Sequence, residues 1–228
     1  MPITTCVFDA YGTLFDVAAA ARQAAGEPDC KAIKDDWPLL AEHWRLKQLQ
    51  YSWLRAVADA HTDFWEVTQN GLDWALEKTG HDGDPVLRAR LLALYWELQA
   101  YAEVPEMLAT LKAGGLNTAI LSNGSPDMLS GAVKSADIED VLDVSLSVQS
   151  VGIFKPDARV YDLVGAHFGC TKDEVLFVSS NGWDAAAATG YGFTTAWVNR
   201  GGEPMDRLPW EPAHVLQDLT GIPQLAGL

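Results

Sequence analysis

The sequence predicts an α/β fold: a doubly wound, parallel, Rossmann-like sheet with a block of helices inserted after its first strand. Three observations carry that reading. An apolar and β-branched run, Ile3-Thr4-Thr5-Cys6-Val7-Phe8, stops at Asp9. From about Glu103 onward, short apolar runs alternate with helix-length segments, the mark of βαβ units and a sheet covered on both faces. Between these regions, no strand-like run interrupts a long helical pattern. The first strand must join the later sheet to be buried. Residues 1–16 and 97–228 are therefore expected to form the core domain, and 17–96 a helical cap domain.

Each element has its own signal. Past the first strand, Trp37, Trp44, Trp53, Trp65 and Trp74 fall at helical spacing. One helix follows Trp37-Pro38, with Leu40, Trp44, Tyr51, Leu54 and Ala58 in a stripe at three- and four-residue steps. Phe64-Trp65, Leu72 and Leu76 mark another, and Val86, Leu87, Leu91, Leu94 and Tyr95 a further one. Trp53, Trp74 and Trp96 are expected in helix packing or a subunit interface. In the core, a helix from Glu106 to Ala113 ends at Gly114-Gly115, and Leu116 to Leu121 reads as a strand. A helix near Met128 to Ser135 precedes a strand from Val144 to Val148. The next helix runs from Ala158 to Phe168 and ends at Gly169. Val175 to Val178 is a strand, Asp184 to Thr189 a helix before Gly190, and Thr195 to Val198 a strand. Gly201-Gly202-Glu203-Pro204 is a surface turn.

Composition narrows the function. The 228 residues are 48% hydrophobic and 21% charged, which are globular values. Sixteen Lys+Arg against thirty-one Asp+Glu give a net charge of -15. That argues against nucleic acid and anionic membrane surfaces as partners, since both are bound through basic patches. An anionic substrate would need cations inside its own site. Cys6, Cys30 and Cys170 form no CxxC pair. Cys6 reads as a small core residue. With no signal-like start and no run approaching a membrane span, the expected compartment is a reducing cytoplasm. The five histidines show no ligand spacing and are assigned no chemistry.

Polar groups gather at the strand ends. Asp9 and Thr13 follow the first strand, and Ser122-Asn123-Gly124-Ser125 the second. Lys155-Pro156 follows the third, and Ser179-Ser180-Asn181-Gly182-Trp183-Asp184 the fourth. In a parallel sheet all four loops share one edge, where such sheets bind ligands. Taken singly, each has an ordinary reading: Thr13 as a turn residue, Asp184 as a helix N-cap, Arg45 as a solvated helix charge. Their convergence on a carboxylate and a lysine is the sharper signal. A carboxylate with a pKa near 4 is ionised at neutral pH, and it can attack an sp3 carbon in line with a departing anion. Two residues after Asp9 stands Tyr11, not a second acid. Halide leaves without a proton, whereas a phosphate ester would lack its general acid.

The chain resembles the haloacid dehalogenase superfamily, and within it the L-2-haloacid dehalogenases. The broad signal is Asp9 with Thr13, Ser122, Lys155-Pro156 and Asp184. The narrower signal is Phe8-Asp9-Ala10-Tyr11-Gly12-Thr13-Leu14, Trp44-Arg45 with Lys47-Gln48-Leu49 and Tyr51, Leu121 to Ser125, Lys155-Pro156 with Tyr161, and Ser179-Ser180-Asn181 with Trp183-Asp184. The resemblance spans essentially the whole chain. It implies a haloacid dehalogenase core with a helical cap. It also implies hydrolysis of short L-2-haloalkanoic acids to D-2-hydroxy acids and halide, through an ester on Asp9.

Roles are expected accordingly. Lys155 holds Asp9 aimed through opposite charge, and Thr13 hydrogen-bonds the same carboxylate. Ser122 and the backbone amides around Ala10 and Tyr11 grip the substrate carboxylate. Arg45 and Asn123 cradle the halide as charge develops. Asp184 and Asn181 place or activate the hydrolytic water. By resemblance, Ser179 supports Lys155 and Asp184, while Tyr161 supports Lys155 or the substrate carboxylate. Tyr11, Leu49, Phe64 and Trp183 form an apolar wall. The fourth loop offers a single carboxylate, so no metal and no cofactor are expected. The partner is a small 2-haloacid, and the resemblance favours a homodimer. The competing readings are a magnesium-dependent small-metabolite phosphatase of the same superfamily and a non-catalytic binding module.

Overall fold

The computed structural model describes residues 2–228. Six parallel strands form one sheet in the order β3-β2-β1-β4-β5-β6. They are β1 (Thr5–Phe8), β2 (Asn117–Ser122), β3 (Val144–Ser147), β4 (Val175–Ser179), β5 (Thr194–Val198) and β6 (His214–Leu216). The expected α/β parallel-sheet architecture is therefore present. β1 lies between β2 and β4, with Phe8 level with Ile120 on one side and Val178 on the other. Every residue of β1 is buried. Its first polar side chain thus emerges where the order reverses, between loops from both neighbours. Cys6 is fully buried, and burial pushes its thiol up to about 12, which makes it an inert core residue.

Between β1 and β2 the chain forms α1 (Ala19–Ala25), α2 (Trp37–Val57), α3 (Phe64–Thr79), α4 (Pro85–Trp96) and α5 (Val104–Ala113). The helix boundaries follow capping chemistry. Asp63 accepts the Trp65 amide at the start of α3, and Gly80 ends it with φ 77°. Asp84 accepts the Val86 and Leu87 amides at the start of α4, where Pro85 occupies the first turn. The remaining helices are α6 (Pro126–Ser135), α7 (Ala158–Phe168), α8 (Gly182–Tyr191) and α9 (Ile222–Leu225). No helix among the described residues is long and apolar enough to cross a membrane.

Several expectations need correction. α1 and β6 carried no periodic signal: α1 reads Ala-Ala-Ala-Arg-Gln-Ala-Ala, and β6 is a three-residue edge strand. α8 does not stop before Gly190 but runs through it to Tyr191, ending at Gly192 with φ 116°. Gly190 belongs inside the helix because the Trp210 indole lies over it: a Cβ there would sit 2.4 Å from the ring. Trp53 also departs from a plain packing role, since it meets Trp183 edge-on at 5.3 Å.

Candidate active site

The turn after β1 builds the centre. Asp9 is 6% exposed, and its oxygens face three donors. Lys155 Nζ donates to Oδ1 at 3.1 Å. Thr13 Oγ1 and Asn181 Nδ2 donate to Oδ2 at 3.1 and 3.0 Å. The turn closes tightly enough that Gly12 takes φ 90°, and a Cβ there would lie 3.0 Å from Ser180 Oγ. Ser180, absent from the expected roles, fixes Thr13: its amide donates to Thr13 Oγ1 at 2.8 Å.

Behind Asp9 lies a buried charge cluster. Lys155 is 1% exposed and donates a second bond to Asp184 Oδ2 at 2.8 Å. Tyr161 donates to Asp184 Oδ1 at 2.7 Å. Burial opposes the charged form of Lys155, but Asp184 and Asp9 outweigh it and raise its pKa. Burial raises Asp184, with Lys155 offsetting in part. One ammonium shared by two carboxylates explains both directions. Burial pushes the Tyr161 phenol well up, and the neighbouring Asp184 adds to this.

This geometry changes several expected contacts. Asp184 is fully buried with both oxygens bonded, so in this state it touches Lys155 and Tyr161 but no open space. Tyr161 bonds Asp184 and makes no hydrogen bond to Lys155 Nζ among the described residues. Ser179 Oγ accepts the Asn181 amide at 3.1 Å, shaping the loop, and makes no hydrogen bond to Lys155 or Asp184 among the described residues. Ser122 Oγ accepts the Gly124 amide at 3.1 Å, and Asn123 Oδ1 accepts the Lys155 amide at 2.9 Å. Asn123 thus ties the second loop to the third while its amide nitrogen stays free of that bond.

From α2, Arg45 reaches over the turn. Nη2 donates to Tyr11 O at 3.0 Å and to Asn181 Oδ1 at 3.2 Å, and Nη1 donates to Gln48 Oε1 at 2.8 Å. Gln48 is buried and bonded to Thr68 and Tyr95. Its sequence signal is a polar residue one turn from Arg45 within an apolar stripe. Arg45, Leu49, Asn181 and Trp183 line an open cleft of about 720 Å³.

The apolar side consists of Tyr11, packed 6.1 Å from Phe64 and 5.7 Å from Tyr95, with Phe64 in turn 5.8 Å from Phe154. Ala10 is fully buried beneath it. Burial, then Tyr95 and Asp9, push the Tyr11 phenol well above its ordinary value, so it holds its proton. The second loop presses on this wall: a Cβ at Gly124 would meet the Tyr11 ring at 2.8 Å. Gly124→Ala is therefore expected to lose about 1–3 kcal/mol of stability by overpacking. Chemical denaturation checks this, and an unchanged midpoint would show that the wall yields freely.

The haloacid dehalogenase-like hydrolase family profile matches residues 3–192. The (S)-2-haloacid dehalogenase 1 of Pseudomonas sp. (strain CBS-3) is 42% identical over 224 residues, which is 98% of this chain and 96% of that protein. The (S)-2-haloacid dehalogenase 4A of Burkholderia cepacia is 41% identical over 202 residues, 89% of this chain and 85% of its own. A solved L-2-haloacid dehalogenase from Xanthobacter autotrophicus, with chloropropionic acid covalently bound, superposes with a TM-score of 0.86. It is 36% identical and covers 98% of both chains.

Proposed function

The chain belongs to the haloacid dehalogenase-like hydrolase family, and we propose that it hydrolyses short L-2-haloalkanoic acids to D-2-hydroxy acids and halide, with Asp9 as nucleophile. The observation that carries this reading is a buried carboxylate gripped by Lys155, Thr13 and Asn181, with a tightly protonated Tyr11 where a proton donor would have to stand. Such a site suits a leaving group that departs as a stable anion.

In the first step an Asp9 oxygen attacks C2 from the side opposite the halogen. The C–O bond forms as the carbon–halogen bond breaks, inverting the carbon and leaving an aspartyl ester. Arg45 and the free amide nitrogen of Asn123 receive the departing halide. Ser122 and the Ala10 and Tyr11 amides hold the substrate carboxylate, while Tyr11, Leu49, Phe64 and Trp183 exclude water around the alkyl group. Esterification removes the charge of Asp9 and leaves Lys155 to Asp184 alone. Water then attacks the ester carbonyl carbon, and its proton passes to Asp184 once one carboxylate oxygen gives up its bond to Lys155 or Tyr161 and turns to the cleft. The acyl–oxygen bond breaks, and the leaving alkoxide takes the second proton of the attacking water to become the 2-hydroxy acid. Asp9 is regenerated as a carboxylate, and Asp184 returns its proton to solvent, one per turnover. Asn181 places the water, and Tyr161 and Ser179 act by holding Asp184 and the loop.

A divalent ion fits poorly here. The space between Asp9 and Asp184 is taken by the Lys155 ammonium, 3.1 and 2.8 Å from their oxygens. Residues 17–96 are read as the cap over the site. The same proposal includes a homodimer, for which exposed Leu39, Leu46 and Leu54 on α2 offer an apolar face, and a reducing compartment suited to three free cysteines.

Halide release from L-2-chloropropionate in the presence of chelator tests the reaction, with D-2-chloropropionate, chloroacetate and fluoroacetate alongside. Turnover of the L isomer undiminished by chelator is expected. Phosphate release that requires magnesium, without halide release, would instead make the protein a phosphatase. In heavy-oxygen water, the first-turnover product is expected to carry an Asp9 oxygen. A solvent oxygen there would exclude the ester.

A further inference from the structure

The chain passes between the sheet and the helices α1–α4 twice, and the two passages lie side by side. Phe15 bridges Ala100 in antiparallel fashion. The Asp16 amide donates to Gln99 O at 2.9 Å, and the Tyr101 amide to Leu14 O at 3.0 Å. This ribbon begins directly after the Asp9–Thr13 turn and ends directly before α5. One side chain from a distant segment touches the turn, the ribbon and the start of α5. Arg200, in the loop after β5, donates through Nη2 to Thr13 O at 3.3 Å. The same nitrogen pairs with Glu103 Oε1 at 2.7 Å, and the guanidinium carbon lies 3.8 Å from the Tyr101 ring centre.

Arg200 is unlike the surface arginines. Arg159, for comparison, is 61% exposed and pairs with its near neighbour Asp157. Arg200 is 22% exposed, and among the described residues its Nε is buried without a hydrogen-bond partner, as is Glu103 Oε1, which meets the guanidinium as an ion pair only. A buried N–H left unpaired calls for an explanation. The other contacts supply it: a planar fork stacked on a ring and fixed to a backbone carbonyl has one orientation. Arg45, which lines the same cleft as Arg200, bonds Tyr11 O at 3.0 Å. Two guanidinium groups, one from α2 and one from the β5 loop, thus grip alternate carbonyls of the turn that presents Asp9.

We infer that Arg200 is a positioning residue for the dehalogenation. It locks the paired passages against the core and, through Thr13, aims the nucleophile. The path is short: Arg200 holds the Thr13 carbonyl, and Thr13 Oγ1 donates to Asp9 Oδ2 at 3.1 Å. Its kinetic consequence rests on the reading of Asp9 as nucleophile, while its mechanical consequence does not.

The test compares Arg200→Gln and Arg200→Lys in the native background and in Thr13→Ala. Arg200→Gln is expected to lower kcat about 10- to 100-fold with KM changed less than about threefold, the signature of a misaimed group. In Thr13→Ala the same substitution changes kcat less than about twofold, because both act on one alignment. Arg200→Lys keeps a charge for Glu103 but not the fork, so it stays well below the native rate. Hydrogen exchange supplies a readout independent of turnover: Arg200→Gln speeds exchange over residues 9–16 and leaves 117–122 unchanged. Multiplying losses in the two backgrounds, full recovery with Lys, or unaltered exchange over 9–16 would each overturn the inference. A native protein that releases no halide would sink the proposed reaction instead, and the exchange comparison would still decide the role of Arg200.

Discussion

Asp9→Asn is expected to lower halide release from L-2-chloropropionate by on the order of 10⁴-fold or more, because it removes the group that forms the covalent bond. The side chain keeps its size, yet all its neighbours are donors: Lys155 Nζ on one oxygen, Thr13 Oγ1 and Asn181 Nδ2 on the other. An amide NH₂ must face one of them, so the variant also places a donor against a donor. Mass spectrometry of the native protein quenched in its first turnover should find an added 1-carboxyethyl group on the peptide containing Asp9, and none in the variant. Retention of activity within about tenfold would mean that another residue carries the nucleophile.

Lys155→Met is expected to have the largest combined effect on rate and stability. The substitution is close in volume but strips the cation from between two buried carboxylates, and breaking such a pair costs about 3–5 kcal/mol. Halide release should fall about 10²- to 10³-fold, because the nucleophile loses the group that aims it. The two carboxylates would then repel without a cation, which disfavours ionising both. The acid limb of the rate profile should therefore move to higher pH. The alkaline side tests the native lysine. Its folded pKa is raised above the ordinary value of about 10.4, with burial opposing and Asp184 and Asp9 prevailing. A group of that kind stabilises fully below its unfolded pKa, and the contribution is lost as pH rises through the folded one. The stability gap between native protein and variant should thus hold constant from about pH 7 to about pH 10 and narrow only above. A gap that closes below about pH 9 would show that Lys155 is not the shared cation.

Much of the site was legible because its parts sit at strand ends, and strand ends are local events. A short continuous apolar run that stops at Asp9, Ser122 or Ser179 fixes which side chains reach the shared edge. The α3 and α4 helices were legible from their apolar stripes, while their capping residues, Asp63 and Asp84, came from the structure. Other elements lack a local signal. α1 is largely alanine with no periodic contrast, and β6 is three residues held only by its pairing with β5. Gly190 looked like a helix stop because the Trp210 ring that requires a glycine there comes from a separate segment.

The sequence by itself determined the chemistry on offer: a carboxylate after β1, a tyrosine where a second acid would stand, a lysine after β3, and polar loops after β2 and β4. Those follow from residue type and from periods of two and 3.6, which neighbouring residues set among themselves. Only the tertiary structure decided the partners. Lys155 meets Asp9 across 146 positions of chain. Asp184 has both oxygens filled, Gln48 stands behind Arg45, and Arg200 lies over the returning passage. These contacts exist because β1 is packed between β2 and β4, and because the helices after it return beside their own point of departure. No spacing within the chain encodes that geometry.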